Sequence, residues 1–209
     1  RLATRLAEPE ETDPVPRTGG SGPAIWVVTE PDRMQITAEL LGAAAVLAAG
    51  LEGSVVAAGP SPGDFQVLSA QGADRVIVVD GADEADLARV LAKHMADDQP
   101  WAVLAPSTDW GRQVSGRLAV RWGAGLTGDA VGVETQAGRL VALKPAFGGR
   151  LVAEITCSSL IQMATLRPGV LPLPNPRLAM EIPEERYVAE GRSRVRVLKR
   201  WREDGSNNL

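Results

Sequence analysis

Hydrophobic and polar residues follow two different periods along the first part of the chain. Short apolar runs rich in β-branched residues are typical of strands that are buried on both faces of a sheet. Four such runs occur, at residues 24–29, 54–58, 75–80 and 101–105. Stretches that are rich in Ala and Leu, or that carry an apolar stripe at helical spacing, predict helices between and after them. These lie at residues 35–51, 65–72, 84–96 and 109–122.

Strands that alternate with helices at this spacing predict right-handed crossovers and a parallel sheet. We therefore predict a three-layer α/β domain whose parallel sheet is formed within residues 24–128. Beyond Gly128 the helical period disappears, and strand-like stretches follow at residues 130–136, 139–145 and 150–156. The turn sequences between them predict an antiparallel extension, attached to one edge of the sheet and reaching about residue 166.

The two ends of the chain lack this patterning. Residues 1–23 are rich in Pro, Glu, Thr and Gly without an apolar period, which predicts a flexible N-terminal arm. Residues 168–176 include four prolines, which disrupt strand pairing and direct the chain across the surface. Residues 193–198 alternate polar and apolar side chains, as a half-buried strand does. The predicted α/β domain is thus residues 24–170, followed by a Pro-rich crossing segment and linker strand at 171–209.

Composition and charge restrict the classes of function. The chain has 209 residues, of which 44% are hydrophobic and 23% charged, as expected for one globular domain with tails. Its net charge of -4 provides no overall positive field for nucleic acid or an anionic membrane. Its longest uncharged stretches fall short of the ~20 apolar residues that span a bilayer. The single cysteine, Cys157, cannot form an internal disulfide, so we expect a cytoplasmic protein without a membrane span.

The reactive residue types form no strong catalytic or metal-binding pattern in the sequence. The glycines of residues 123–128 match the G-x-G-x-x-G dinucleotide fingerprint. They follow a predicted helix instead of leading into one, so we interpret them as a glycine-rich turn. His94, the single histidine, lies within a predicted helix, where a solvent-facing or helix-terminal side chain is the ordinary state. Cys157 falls in an apolar strand run, where a thiol behaves as a small buried hydrophobe.

Two groups of residues are candidates for contact with a ligand or a partner. Asp109, Trp110 and Arg112 lie at the predicted carboxyl end of a parallel strand, where ligands of open α/β sheets bind. The alternative is that Asp109 caps the following helix and that Trp110 packs against a neighbouring element. Ser107 and Thr108 are also available as the N-cap of this helix. Arg194 and Arg196 belong to a basic strand near the C-terminus. That strand is either a solvated face or a charged contact with a partner.

Three separated blocks resemble the alpha subunit of electron transfer flavoproteins, the FixB-like family. They are APSTDWGRQVSGRLAVRWGAGLTG (105–128), PAFGG (145–149) and QMATLRPGV (162–170), in the order and with the spacing of that family. The resemblance covers roughly residues 24–203. It departs from the family at Leu160 and Ile161, where many relatives have a His-Arg pair.

The resemblance implies a fold and a function. Members have an N-terminal α/β domain related to nucleotide-binding hydrolase-like folds, then a C-terminal domain that carries most of the FAD site. Because the FAD motifs of that second domain are absent from this sequence, we expect FAD in the complete assembly and not on this chain alone. The implied role is an electron carrier subunit, not an enzyme. It would form a heterodimer with a beta subunit and pass electrons from a dehydrogenase to a quinone-linked or other acceptor.

Two other hypotheses stay open at this point. A nucleotide-binding α/β enzyme or sensor would use the crevice near Asp109 and would need phosphate ligands there. A purely structural domain of a larger complex would leave the flavin on another chain. In the subunit interpretation, we expect Trp110 and Trp201 to be exposed on this chain and buried against a second polypeptide.

Overall fold

A parallel sheet of seven strands forms the centre of the computed structural model, which describes residues 13–60 and 63–189. The strands are β1 (Ala24–Val28), β2 (Ser54–Gly59), β3 (Arg75–Asp80), β4 (Ala102–Pro106), β5 (Gly125–Ala130), β6 (Gly132–Gln136), β7 (Arg139–Ala146), β8 (Leu151–Thr156), β9 (Gln162–Leu166) and β10 (Glu184–Val188). The helices are α1 (Met34–Gly50), α2 (Phe65–Gln71), α3 (Glu84–His94) and α4 (Asp109–Trp122).

The strands of the main sheet are ordered β10-β3-β2-β1-β4-β9-β5, and all neighbouring pairs are parallel. Helices α1 and α2 cover one face, and α3 and α4 cover the other. Strand β1 serves both layers, because Ile25 and Val27 pack under α1 while Trp26 and Val28 pack against the opposite cluster. Burial on both faces explains why β1 to β4 appear in the sequence as continuous apolar runs. The predicted three-layer α/β fold is confirmed.

Strands β5 to β9 differ in arrangement from the predicted extension. The antiparallel part is present as a separate sheet in the order β6-β7-β8, which packs onto the α1 side through Leu140 and Ala142. Strands β5 and β9, in contrast, are parallel members of the main sheet, with β9 inserted between β4 and β5. The glycine-rich turn of residues 123–128 is therefore only partly a turn. Gly123 ends α4 with a left-handed φ of 59°, and β5 begins at Gly125.

The ends of the described chain pack onto the α1 and α2 side of the domain. Val15 is buried in the core, and its amide donates to the Asn175 carbonyl at 2.9 Å, so this part of the predicted arm is held against the domain. Residues 167–183 cross α1 and α2, as the prolines predict, and we call them the strap; Arg177 N donates to Ala70 O at 2.9 Å. The strap leads into β10, which pairs with β3 at the far edge. The sheet therefore extends past the predicted boundary at residue 170.

Within residues 13–60 and 63–189, none of the helices has the length and apolar character needed to cross a membrane.

Candidate functional site at the carboxyl edge of the sheet

The strand order creates a crevice between the carboxyl ends of β1 and β4. The chain proceeds from β1 to β2 and β3 on one side, and β4 then pairs with the other side of β1. In open α/β sheets, ligands bind at this topological switch point. The residues that follow the two strands are Thr29 and Glu30 after β1, and Ser107 and Thr108 after β4.

A hydrogen bond between protein groups bridges this crevice. The Thr108 hydroxyl donates to Glu30 Oε2 at 2.7 Å and accepts from the Gly111 amide at 3.0 Å, so it also caps α4. Glu30 in turn lies 3.2 Å from Arg33 Nε. Of the three possible caps, Ser107, Thr108 and Asp109, the helix uses Thr108. Gly111 allows the close approach of α4 to β4, because a Cβ at this position would lie 2.1 Å from the Pro106 carbonyl oxygen.

The three candidate residues at the start of α4 have different environments. Trp110 is only 8% exposed and packs with Val114 and Leu118 in the core under α3 and α4. The expectation of an exposed Trp110 is therefore wrong, and packing against a neighbouring element is correct. The Asp109 side chain is fully exposed. Arg112 is half exposed and donates through Nε to the Ser107 hydroxyl at 3.3 Å.

A polar cluster joins the ends of β4, β5 and β9. Asp129 accepts from Ser107 Oγ at 3.2 Å and from Arg167 Nη2 at 2.6 Å, and its amide donates to Thr165 Oγ1 at 2.9 Å. Arg112 Nη2 lies 4.0 Å from the same carboxylate. The hydrogen bond from Arg167 is the largest of the effects that lower the pKa of Asp129 below its ordinary value. We call Ser107, Arg112, Asp129, Thr165 and Arg167 the edge cluster.

The backbone of Asp129 is unusual. Its φ is 61°, and the pairing register of β5 and β9 shifts between Thr127 and Ala130. A non-glycine residue in the left-handed region is strained, and such residues are concentrated at functional sites. Sequence reasoning missed Asp129 and Arg167 because it did not identify β5 and β9 as parallel strands. Neither strand carries a strong local signal, because β5 reads GLTGDA and β9 reads QMATL.

The described residues of this edge do not fit a phosphate group. A phosphate needs several convergent N–H groups or unpaired arginines. Here Arg112 and Arg167 already face Asp129, and the carboxylates of Glu30 and Asp109 line the same edge. The Thr29 hydroxyl is buried without a hydrogen-bond partner among the described residues. One hydroxyl among these carboxylates does not make a phosphate cradle.

A second groove, at the start of α1, does not fit a phosphate group either. It is lined by Asp32, Arg33, Met34, Gln35, Ile36, Glu39, Pro168 and Gly169. The buried carboxylate of Glu39 accepts the Gly169 amide at 2.9 Å. This contact uses an N–H of the strap that could otherwise face an anion, and it adds a negative charge beside the helix start.

His94 and Cys157 lie away from the edge cluster. His94 ends α3, and its ring stacks on Tyr187 of β10 with the centroids 3.5 Å apart; burial lowers its pKa. Cys157 follows β8 and is half-buried. The expectation that it lies buried within a strand is therefore wrong. Its Sγ lies 4.0 Å from Thr127 Oγ1. In the described part of the chain, no group of three or more His, Cys, Asp and Glu side chains is arranged to hold a metal ion.

The remaining candidates lie outside the described residues. These are Arg194 and Arg196, the predicted strand at 193–198, and Trp201. Of the five predicted contact residues, the structure therefore places Asp109, Trp110 and Arg112 together at the start of α4.

Comparison with known proteins identifies the family. The model of the electron transfer flavoprotein domain family matches residues 25–190. The protein FixB of Clostridium saccharobutylicum is 33% identical over 159 residues, which are 70% of this chain and 48% of the relative. The electron transfer flavoprotein subunit alpha of Clostridium acetobutylicum is 32% identical over 160 residues, with the same two shares.

A third relative, the protein FixB of Azorhizobium caulinodans, is 34% identical over 167 residues, which are 72% of this chain and 45% of the relative. The chain thus spans about half the length of the curated relatives that it matches. The resemblance carried by the three sequence blocks is confirmed: the chain belongs to the electron transfer flavoprotein domain family and corresponds to the alpha-type, N-terminal α/β domain.

Proposed function

We propose that this chain is the alpha-subunit part of an electron transfer flavoprotein and serves as a scaffold for flavin-mediated electron transfer from a dehydrogenase to an acceptor. The observation that carries the proposal is the family match over residues 25–190, which extends from β1 to beyond β10. In this role the chain is an electron carrier subunit and not an enzyme. Its assembly pairs with a beta-type subunit in the cytoplasm and meets a dehydrogenase donor and a quinone-linked or other acceptor.

The chemistry of the carboxyl edge agrees with a scaffold. Electron transfer through a flavin needs a protein that binds and orients the cofactor, and it needs no nucleophile or general base from the protein. The edge cluster consists of ion pairs and hydroxyls, and His94 lies at the other end of the sheet order, beside β10.

FAD belongs to the proposal as a cofactor of the complete assembly. The described residues do not fit its pyrophosphate, because the G-x-G-x-x-G glycines end α4 and lead into β5. A dinucleotide fingerprint requires the opposite order, in which the glycines precede a helix start. The proposal therefore assigns the FAD site to a part of the assembly other than residues 13–60 and 63–189.

The first experiment titrates the isolated chain with FAD and follows flavin fluorescence. We expect no saturable quenching at low micromolar FAD. Stoichiometric, sub-micromolar quenching would contradict the proposed location of the flavin. Titration with ATP and AMP in the same cuvette series tests the nucleotide-binding alternative, which the carboxylates at the crevice disfavour.

The second experiment co-expresses the full chain with a beta-type electron transfer flavoprotein subunit from the same organism. The subunit proposal predicts that a tag on one chain retains the other at physiological salt. If the two chains elute separately and sediment as separate species, the proposed role as an alpha-type subunit is wrong.

A further inference from the structure

A further groove, which we call the apolar groove, runs between the outer face of α1 and the strap. Its volume is about 300 Å³, at the lower end of the range for ligand pockets. Its apolar walls come from the first described segment, from α1 and from the strap, and include Val15, Pro16, Val46, Leu171, Leu173 and Pro174.

The walls of the apolar groove are held in place by contacts within the domain. The Arg177 guanidinium donates to the Pro16 carbonyl at 2.8 Å and so ties the first described segment to the strap. On the other side, Gly42 lets the strap lie directly against α1, because a Cβ at this position would lie 2.9 Å from Pro174 Cβ. A groove whose walls are already fixed can accept an occupant without the cost of ordering them.

Two apolar side chains at this groove are open to solvent. Val46 on α1 is 64% exposed, and Leu173 on the strap is 54% exposed. An occupant that removed these side chains from water would gain free energy in proportion to the apolar area covered. The groove therefore favours an occupant with apolar side chains.

The charges at the apolar groove restrict the occupant further. Its lining includes Asp13 and Glu39, and neither has a basic side chain within ion-pair distance among the described residues. The Glu39 carboxylate accepts from neutral donors, the Gly169 amide at 2.9 Å and Gln35 Nε2 at 3.5 Å. A negative groove favours a partner that carries positive charge. The matching occupant has a basic residue between apolar ones.

The chain itself contains such a segment next to the groove. The described residues begin at Asp13, which lines the groove, and residues 2–7 read LATRLA. This segment has two leucines, one arginine and no acidic residue. Six residues of chain reach at most about 20 Å, and the α1 wall from Glu39 to Val46 is about 10 Å long. Residues 2–7 can therefore reach the whole groove.

We infer that residues 2–7 of this chain bind in the apolar groove, with Leu6 against Val46 and Arg5 beside the carboxylates. Attachment to the same chain gives the segment an effective concentration in the millimolar range, so a weak contact is sufficient. A second copy would offer the same segment only at its concentration in solution. The acidic stretch at residues 8–12 suits the groove less well, because it repeats the charge of Asp13 and Glu39.

Disulfide formation in the full chain tests this inference. With Cys157→Ser as the common background, Leu6→Cys combined with Val46→Cys should form an intramolecular disulfide during mild oxidation, because the two Cβ atoms lie close together when the segment is bound. Leu6→Cys combined with Val120→Cys is the matched control. Val120 is an exposed apolar residue of α4, on the other face of the main sheet, and this pair should react at least about tenfold more slowly. Equal rates for the two pairs, or no disulfide in either, would overturn the inference.

A second set of variants distinguishes binding from chance collision of two sites on one chain. In the Leu6→Cys, Val46→Cys chain, Leu2→Asp should slow disulfide formation several-fold, because it places a charge in the apolar groove. Arg5→Glu should also slow it, more strongly at low salt, whereas Arg5→Lys should retain most of the rate. If none of these substitutions alters the rate, residues 2–7 do not bind in the groove and the inference is wrong.

Non-reducing electrophoresis and sedimentation identify a different occupant. If the disulfide joins two copies, and dilution suppresses it, the segment of a second copy fills the groove and the inference is wrong. The proposed function is unaffected by either result, because it rests on the family match over residues 25–190.

Discussion

Two Arg–Asp pairs in this domain have the same chemistry and very different surroundings. Arg177 and Asp74 lie 2.9 Å apart with side chains 5% and 10% exposed. Arg167 and Asp129 lie 2.6 Å apart with side chains 47% and 36% exposed. The Arg177 guanidinium also donates to the carbonyl oxygens of Pro16, Ser69 and Ala73. For Arg167, Asp129 is the hydrogen-bond acceptor of the side chain among the described residues.

The comparison shows that the buried Arg177 pair stabilises the fold, whereas the Arg167 pair remains accessible at the surface. Arg177 joins the strap, the N-terminal segment, the end of α2 and the residue before β3, and its side chain is only 5% exposed. Removal of one partner from a buried pair leaves the other charge without compensation. The Arg167 pair is screened by solvent and contributes little to stability. Its location at the carboxyl edge makes it a group that a partner could engage without unfolding the domain.

The largest expected effect is that of Arg177→Ala. The substitution leaves the Asp74 carboxylate and the carbonyls of Pro16, Ser69 and Ala73 with fewer donors, so the free energy of unfolding should fall by about 3–5 kcal/mol. Urea denaturation followed by circular dichroism measures this change. Arg186→Ala is the control, because its side chain is 53% exposed in its pair with Asp80; its effect should be much smaller, because solvent screens an exposed pair. Equal losses in the two variants would contradict the comparison.

An intermediate effect is expected at Thr108, which is half-buried. Thr108→Ala removes both the cap of α4 and the hydrogen bond to Glu30, and it should destabilise the domain by about 1 kcal/mol, within a range of about 0.5–2. Thr108→Ser keeps the hydroxyl and should recover most of this loss. Thermal unfolding of the two variants side by side measures the difference. Ser and Ala variants of equal stability would show that the hydroxyl contributes nothing.

The sequence predicted the part of the fold whose signals are local. The bounds of β3 and α4 agree with the predicted residues 75–80 and 109–122. Continuous apolar runs mark strands that are buried on both faces, and an apolar stripe marks a helix that packs on one side. These signals do not depend on which strand lies next to which, so they can be read along the chain.

The parts that sequence reasoning missed depend on contacts between distant residues. Strand β9 becomes a parallel strand because it fits between β4 and β5, which its own five residues do not reveal. Strand β10 reads EERYV, which is mostly polar; it is held at the edge by Arg75 with Glu185 and by Arg186 with Asp80. The edge cluster could not be assembled without β5 and β9. The exposed Phe147 was present in a sequence block, but only the structure places it on a turn.

The smallest expected effect concerns the exposed pair and its dependence on pH. Arg167 lowers the pKa of Asp129 below its ordinary value of 3.8, so the ionised carboxylate is favoured in the folded state. A carboxyl group with a lowered pKa adds stability at pH values above the unfolded pKa, and this stability is lost as the pH falls through the folded pKa. The stability difference between the unaltered chain and Arg167→Ala should therefore be small at neutral pH, and smaller still in high salt.

Urea denaturation at a series of pH values measures this difference. It should stay constant from neutral pH down to about pH 5 and vanish under more acidic conditions, once Asp129 is protonated in both states. Asp129→Asn should remove the pH dependence and make the Arg167→Ala substitution nearly neutral, because the pair no longer exists. If the difference grew on acidification, or if it matched the loss caused by Arg177→Ala, the exposed pair would have to be treated as a structural element like the buried one.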